Sequence, residues 1–238
     1  MGKRYVSYNF QLQEVGINMR QPEHNYIFIH VPKCAGTSIE NALKTNQMQW
    51  FGYDRKIQGF LQHLTCAEIL EHNFLTKQEF DKHYKFAFVR NPFSRCVSEY
   101  IWRIKQFGNF INTPINVTEL GNNKMITAND VRQISFKDFV KRNFPWQEIS
   151  FEQHMKPQIE FTHDGNMNLM VDYVGKFENL KQDFDYVCDC IGIEKRNLPH
   201  NYKTNHTHYT DYYDAETKEI VTNMYKQDLN TFGYTFGE

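Results

Sequence analysis

An α/β domain built on a central parallel sheet flanked by helices is predicted by three short apolar runs, each followed by a helix-like pattern. The runs are Tyr26 to Val31 (YIFIHV), Phe86 to Val89 (FAFV) and Val171 to Phe177 (VDYVGKF). The first two are nearly all apolar, as strands covered on both faces are. Strands that alternate with helices in sequence imply crossover connections and hence a parallel sheet.

The helices follow from caps and spacing. One begins near Gly36, with Ile39, Ala42 and Leu43 at helical intervals. Thr65-Cys-Ala-Glu68 and Thr76-Lys-Gln-Glu79 both match the capping box, so two helices start there. Asn91-Pro92 supplies an N-cap and a first-turn proline for a helix carrying Val97, Tyr100, Ile101 and Ile104. Phe107 to Asn129 is rich in Asn, Thr and Gly and reads as a loop excursion, reaching to about residue 134, with a capped helix over Ser135 to Asn143 behind it. Leu180, Phe184, Val187 and Ile191 line one face of a further helix, and a last helix is expected from Asp214 to Asn230. Residues 1–25 form an N-terminal segment ahead of one domain over 26–238, without repeats or a linker.

Composition narrows the function. The chain has 238 residues, 40% hydrophobic and 23% charged, enough for a sizeable core. A formal charge of -1 gives no overall attraction to nucleic acid, so any basic site is local. Met1 to Arg20 holds no signal-like apolar core, and no segment approaches the roughly 18 apolar residues of a membrane span, so the expectation is a cytoplasmic protein. Cys34, Cys66, Cys96, Cys188 and Cys190 are odd in number and include no CxxC pair, which favours reduced thiols over disulfides or zinc. Cys188 and Cys190 are expected on different faces of one helix, as packing residues.

The stretch Tyr26 to Leu43 (YIFIHVPKCAGTSIENAL) carries the chemistry. Strand, tight turn and helix start together gather unpaired backbone N–H groups and the positive end of a helix dipole, the arrangement that holds phosphate. Gly36 lets the backbone come close, Thr37 and Ser38 add hydroxyls and Lys33 adds a mobile charge. This is not the Walker pattern, because the Lys precedes the Gly and Thr37 stands where the Walker Lys would. The second strand ends in Arg90 rather than in a metal-binding Asp. Cations at both strand ends suit a nucleotide held without a metal ion.

HVPKCAGTSI, followed by FAFVRNPFSRCVSEY, resembles the PAPS-dependent sulfotransferases, in particular the carbohydrate sulfotransferase-like group with heparan sulfate 2-O-sulfotransferase-like motifs. HMKPQ at His154 to Gln158, VDYVGKFENL and the C-terminal YYDAETKEIVTNMYKQDLNTFGYTF agree in order, so the resemblance spans roughly Tyr26 to Phe236. It implies a single P-loop-containing nucleotide hydrolase-like domain, with PAPS as sulfuryl donor, PAP as product, no metal and a carbohydrate hydroxyl as acceptor. By the same resemblance Lys33, Ala35, Gly36, Thr37 and Ser38 grip the 5′-phosphosulfate, and Arg90 with Ser98 binds the 3′-phosphate. Lys203 and Thr204 lie where related enzymes have a loop over the nucleotide. Glu178 positions that loop, pairs with a cation or serves the fold, and Arg95, a partner for acidic neighbours, is assigned to neither phosphate. His206 and His208 alternate as on an extended segment; a loop surface is expected over a metal site, since no Cys or carboxylate stands at matching spacing.

The acceptor hydroxyl needs a base, and His63 in GFLQHLTCAEI is the named candidate, expected to project from a loop at a helix start. His154 is its rival, a carboxylate is the choice if neither serves, and His30 is expected to pack beneath the loop. Trp50, Trp102 or Trp146 is available to stack on a sugar ring. Acceptor specificity is expected from loops at the strand ends, Phe107 to Asn129 included. A kinase-like phosphotransferase and a non-catalytic nucleotide-binding module remain the alternatives; the oligomeric state and the acceptor stay open.

Overall fold

The computed structural model describes residues 25–43, 53–54, 59–110, 115–119, 122–126, 132–142, 153–199 and 207–238. In chain order the elements are β1 (Tyr26–Ile29), α1 (Gly36–Leu43), β2 (Tyr53–Asp54), β3 (Gly59–Phe60), α2 (Cys66–Glu71), α3 (Lys77–Lys82), β4 (Tyr84–Val89), α4 (Pro92–Phe110), β5 (Ile115–Glu119) and β6 (Asn122–Ile126). They continue with α5 (Phe136–Val140), α6 (Ile159–Thr162), β7 (Tyr173–Lys176), α7 (Leu180–Ile191), α8 (Ala215–Met224) and α9 (Lys226–Phe232). A 3₁₀ turn, Leu61–His63, stands directly before α2.

The three expected strands form one small, open parallel sheet in the order β1-β4-β7. β4 is central: Tyr26 pairs with Tyr84 and Ile29 with Ala87 on one side, and Phe86 with Tyr173 and Val89 with Lys176 on the other. Its run FAFV is buried throughout, so the two-faced cover inferred from its composition is observed. The shared register ends all three strands at one edge, where the chain passes to Lys33, to Arg90 and to Phe177. Ile27, Ile29, Phe86, Phe88, Ile39, Phe184 and Val187 pack one core around the sheet. A second core of Phe93, Val97, Phe136, Phe139, Val221 and Tyr225 joins α4, α5 and α8.

Both capping boxes form, with Thr65 Oγ1 accepting from Glu68 N–H and Thr76 Oγ1 from Glu79 N–H. Asn91 Oδ1 accepts the Phe93 N–H at 3.1 Å and starts α4. Cys188 is buried and Cys190 exposed, as two positions one residue apart on a helix require. Two expectations change. The stretch read as an excursion contains the end of α4 and an antiparallel hairpin, β5 with β6, whose apolar–polar alternation in INVTE is a strand signal outweighed by the Asn and Gly around it. The last helix is broken at Tyr225, whose φ of -114° and ψ of 27° leave the helical region. The break turns Tyr225 inward, where its hydroxyl donates to Met155 O at 2.8 Å. No described helix is long and apolar enough to cross a membrane.

One buried amide fastens the two strand ends together. Gln158, 0% exposed, accepts the Arg90 N–H at its Oε1 (2.8 Å) and donates from Nε2 to Arg90 O (2.8 Å). The same Oε1 takes the Cys34 thiol at 3.2 Å. Asp228, equally buried, accepts the Gln158 and Ile159 N–H groups at 2.8 and 2.9 Å and so fixes the amide from behind. Gln158→Ala strands both polar groups of the Arg90 peptide in the interior. The expected cost is about 3 kcal/mol, one unpaired buried group costing about 1–3 kcal/mol. For a chain of this size that lowers Tm by about 6–12 °C. Calorimetry measures it, and an unchanged Tm would contradict the role given to Gln158.

Candidate active site

The loop after β1 is held in a conformation its sequence does not favour by itself. Lys33 and Ala35 both adopt left-handed backbone, with φ of 66° and 67°, at a cost of about 1–2 kcal/mol each for residues bearing a Cβ. Strain of this kind persists where the surroundings over-determine it. Here Arg95 Nε donates to Pro32 O (3.1 Å), Arg90 Nη1 to Lys33 O (3.4 Å) and Cys34 Sγ to Gln158, so each part of the loop is tied to a different element. Burial pushes the Cys34 thiol up to about 12, which makes it a packing and donor group rather than a nucleophile.

Gly36 has a different immediate reason from the one its sequence context suggests. A Cβ there would stand 1.9 Å from His30 Nε2, so the close approach that requires glycine is that of the His30 ring. His30 is thus packed beneath the loop as expected, with Nδ1 2.9 Å from Glu40 Oε1. Ser38 and Ile39 both donate N–H to Ala35 O. The N–H groups of Gly36 and Thr37 have no acceptor among the described residues, which leaves the start of α1 open to an anion. Thr37 is exposed and Ser38 half-buried beside them.

At the end of β4, Arg90 lies with its guanidinium 4.1 Å from the Phe177 ring centre and donates from Nε to Ser94 Oγ at 3.0 Å. It engages Ser94, one turn into α4, while the half-buried Ser98 hydroxyl a turn further on has no partner among the described residues. Glu178 serves the fold: its carboxylate accepts the Asn91 N–H and the Tyr234 hydroxyl, both at 2.8 Å. Arg95 is a structural tie as well, since Nη2 donates to the carbonyls of His154 (2.6 Å) and Lys156 (2.9 Å) and joins the HMKPQ segment to the loop. Lys203, Thr204, His206, Trp50 and Trp146 lie outside the described residues. His208 is exposed and bonded locally to Thr210 Oγ1 at 2.7 Å.

Three imidazoles stack edge to face behind the loop. His30 and His63 are 4.7 Å apart between ring centres, as are His63 and His154. His63 therefore does not project from a loop: at 3% exposed it is wedged between the other two. Both its ring nitrogens are engaged, Nδ1 donating to His30 O (3.2 Å) and Nε2 lying 3.1 Å from the Gln62 amide nitrogen. Burial, with His30 and His154 adding to it, drives its pKa well below the ordinary imidazole range. His154 is placed differently. Its Nδ1 faces the Glu99 carboxylate at 3.0 and 3.1 Å, and its Nε2 has no partner among the described residues. Burial lowers its pKa from the ordinary value, with Glu99 opposing the shift.

Lys33 joins this cluster rather than standing free in the loop. Its Nζ lies over the Trp102 ring at 4.8 Å from the centre, and Trp102 is 5.3 Å from the His154 ring. Burial brings the ammonium down to about 8; Glu99 opposes this, and the Arg90 and Arg103 charges add to it. Burial also works against the Glu99 carboxylate, yet His154, Arg103 and Lys33 hold it well below the usual carboxylate range. Lys33, Gly36, Arg90 and His63 are thus gathered with His154, Trp102, Glu99 and Arg103 at one sheet edge. The sequence reading assigns no role to Glu99 or Arg103 and offers Trp102 only as one possible sugar platform. The signal for these three is their i, i+3, i+4 spacing on α4, which puts acid, aromatic and base on one helix face. Chemically the edge offers an anion cradle, a low-pKa lysine and a carboxylate-backed imidazole with one free nitrogen.

Known proteins resemble this chain over much of its length. Carbohydrate sulfotransferase 11 of Mus musculus is 25% identical over 236 residues, covering 90% of this chain and 65% of that protein. Carbohydrate sulfotransferase 14 of Danio rerio is 22% identical over 246 residues, 94% of this chain and 62% of the relative. An uncharacterized protein of Archaeoglobus fulgidus is 29% identical over 121 residues, 51% of this chain and 78% of the relative. The chain thus matches a little under two thirds of the length of the two named sulfotransferases. No solved structure gives a significant match. The family model for sulfotransferases matches residues 18–235, nearly the whole chain, and the chain belongs to the sulfotransferase family.

Proposed function

We propose that the protein transfers a sulfuryl group from PAPS to a carbohydrate hydroxyl, on a sheet of the P-loop nucleotide hydrolase-like type, and releases PAP. The observation that carries this reading is the convergence of an open helix start, Lys33 and Arg90 at one sheet edge beside a His–Glu pair. The residues fit a doubly phosphorylated donor. The N–H groups of Gly36 and Thr37, without an acceptor among the described residues, are available with the hydroxyls of Thr37 and Ser38 to one anion, and Arg90 with Ser98 to a second. Lys203 and Thr204 are proposed to cover the nucleotide. Bound there, PAPS supplies the activated sulfuryl group. The new bond runs from the acceptor oxygen to sulfur, and the breaking bond leaves its electron pair on the 5′-phosphate oxygen, where the Lys33 ammonium meets the developing charge.

The acceptor proton is assigned to His154. Its Nε2 has no partner among the described residues, whereas both nitrogens of His63 are engaged and its environment resists protonation more strongly. His63 then acts as a wall of the site rather than as the base. A kinase-like reading is disfavoured by Arg90 at the place of a metal-binding carboxylate and by Thr37 at the place of the Walker lysine.

His154→Ala should lower kcat by roughly 10²–10⁴, the usual contribution of general-base catalysis, with PAP affinity within about twofold. His63→Ala should lower it far less; the reverse order, read from initial rates, would return the base to His63. The wild-type profile should be bell-shaped. Its acidic limb should lie below 6.5, because burial lowers the His154 pKa and the base must be neutral. Its basic limb should lie near 8, since Lys33 must carry its proton and loses it as pH rises through that value. Lys33→Ala should remove the basic limb and about a hundredfold or more of kcat, while weakening PAP little.

The nucleotide side is tested by binding alone. Arg90→Ala should weaken PAP more than Ser98→Ala does, because a charge-assisted contact is roughly twice as strong as a neutral one. Both should spare the analogue that lacks the 3′-phosphate; equal losses for the two nucleotides, measured by calorimetry, would assign these residues to the fold. In a thermal-shift comparison PAP without metal should stabilise more than ATP with Mg²⁺, and the opposite ranking would favour the kinase-like reading.

A further inference from the structure

We propose that Glu99 is a positioning residue: its single buried carboxylate fixes His154 in the tautomer that leaves Nε2 free to accept a proton, and keeps the Lys33 charge beside it. This rests on the sulfotransferase reading of the site and adds to it a residue with no assigned role. The tautomer follows from donor chemistry. An ionised carboxylate only accepts hydrogen bonds, so the Nδ1 lying 3.0 and 3.1 Å from its two oxygens is the protonated nitrogen. The lone pair is then on Nε2, which no described residue occupies. As that nitrogen takes the acceptor proton, the imidazolium formed is stabilised by the Glu99 charge behind it, the division of labour seen in Ser-His-Asp sites.

The placement of Glu99 exceeds what a structural ion pair needs. It is 0% exposed, and Arg103 Nε at 2.6 Å already supplies a counter-charge from the next turn of α4. An ion pair one turn along a helix requires no imidazole and no lysine. Yet α4 also turns Trp102 toward the loop, and its ring holds Lys33 Nζ at 4.8 Å, within the field of the same carboxylate. One anion therefore serves both the base and the ammonium that meets the leaving oxygen. The other ionisable groups around this pair are Arg90, Cys34 and Arg103 near Lys33, and His63, with His30 behind it, near His154. None of these is an anion at neutral pH, and the Glu40 carboxylate lies on the far imidazole, 2.9 Å from His30, so among the described residues Glu99 is the negative charge acting on both groups.

The direct test is nitrogen-detected NMR of the imidazole side chains in the wild-type protein, which needs no turnover. His154 should be neutral near pH 7 with its proton on Nδ1; a proton on Nε2 overturns the proposal. Glu99→Gln should then mix or reverse the tautomer, lower kcat by roughly 10²–10⁴ and leave the PAP dissociation constant within about threefold, since no phosphate contact is lost. Both limbs of the pH profile should move toward acid, because loss of the anion makes His154 and Lys33 each easier to deprotonate. A merely structural Glu99 would change stability without moving the limbs together. Wild-type kcat with unmoved limbs in Glu99→Gln overturns the assignment. Should Glu99→Gln fail to fold, Glu99→Gln with Arg103→Gln removes both buried charges; the tautomer and kcat expectations stand, and both limbs should still move toward acid but by less, because Arg103 opposes Glu99 at His154 and at Lys33. A wild-type protein that moves no sulfuryl group to any acceptor overturns the functional reading, whereas the tautomer measurement still decides the role of Glu99.

Discussion

The arrangement depends first on the amide of Gln158. A parallel sheet brings the ends of β1 and β4 to one edge, but a strand end does not fix the loop beyond it. Gln158 supplies that missing constraint by pairing with both sides of the Arg90 peptide and taking the Cys34 thiol on the same oxygen. Asp228 makes the amide itself immobile, and Arg95 repeats the tie through Pro32, His154 and Lys156. The consequence is that the positive-φ turn at Lys33 and Ala35, unfavourable on local grounds, is held by partners on several elements. The HMKPQ segment therefore gives the site both its fastener, Gln158, and its proposed base, His154.

Electrostatics is the second level. Bringing the half-buried Lys33 and Arg90 together with the buried Arg103, His154 and Glu99 is costly unless the charges compensate one another. Glu99 is the pivot, since it is opposed by burial yet stabilised by three cationic or protonatable neighbours. Lys33 comes out with a pKa of about 8, close enough to neutrality for a modest change in surroundings to alter its charge. In the proposed reaction such a lysine is well matched to an oxygen that gains charge as its bond to sulfur breaks, because a partly desolvated cation interacts more strongly than one in water.

Much of this was legible in the sequence, for definable reasons. β1, β4 and β7 announced themselves by apolar runs, and α2, α3 and α4 by side-chain caps that act within four residues. Lys33, Gly36 and Arg90 could be singled out because a strand, the turn after it and a helix start are adjacent in sequence. What was hidden depends on contacts far apart in the chain. The break at Tyr225 exists because Met155 O and the Gln158 N–H require a hydroxyl and a carboxylate at that depth. His63 looked accessible from its place before a capping box, and only its packing between His30 and His154 shows it enclosed. Glu99 reads as an ordinary helix acid until α4 is laid against the HMKPQ segment. Gly36 was singled out for a close backbone approach to an anion, whereas the neighbour that demands glycine is the His30 ring, six positions away and on the strand side.

The central claim, that this edge moves a sulfuryl group, is tested most directly by following labelled sulfur from PAPS in the presence of a metal chelator and a panel of carbohydrate acceptors. The account predicts label in a carbohydrate, with PAP released in equal amount and no dependence on added Mg²⁺. Label that stays in PAPS across the panel, together with transfer of the terminal phosphate of ATP when Mg²⁺ is restored, would contradict it.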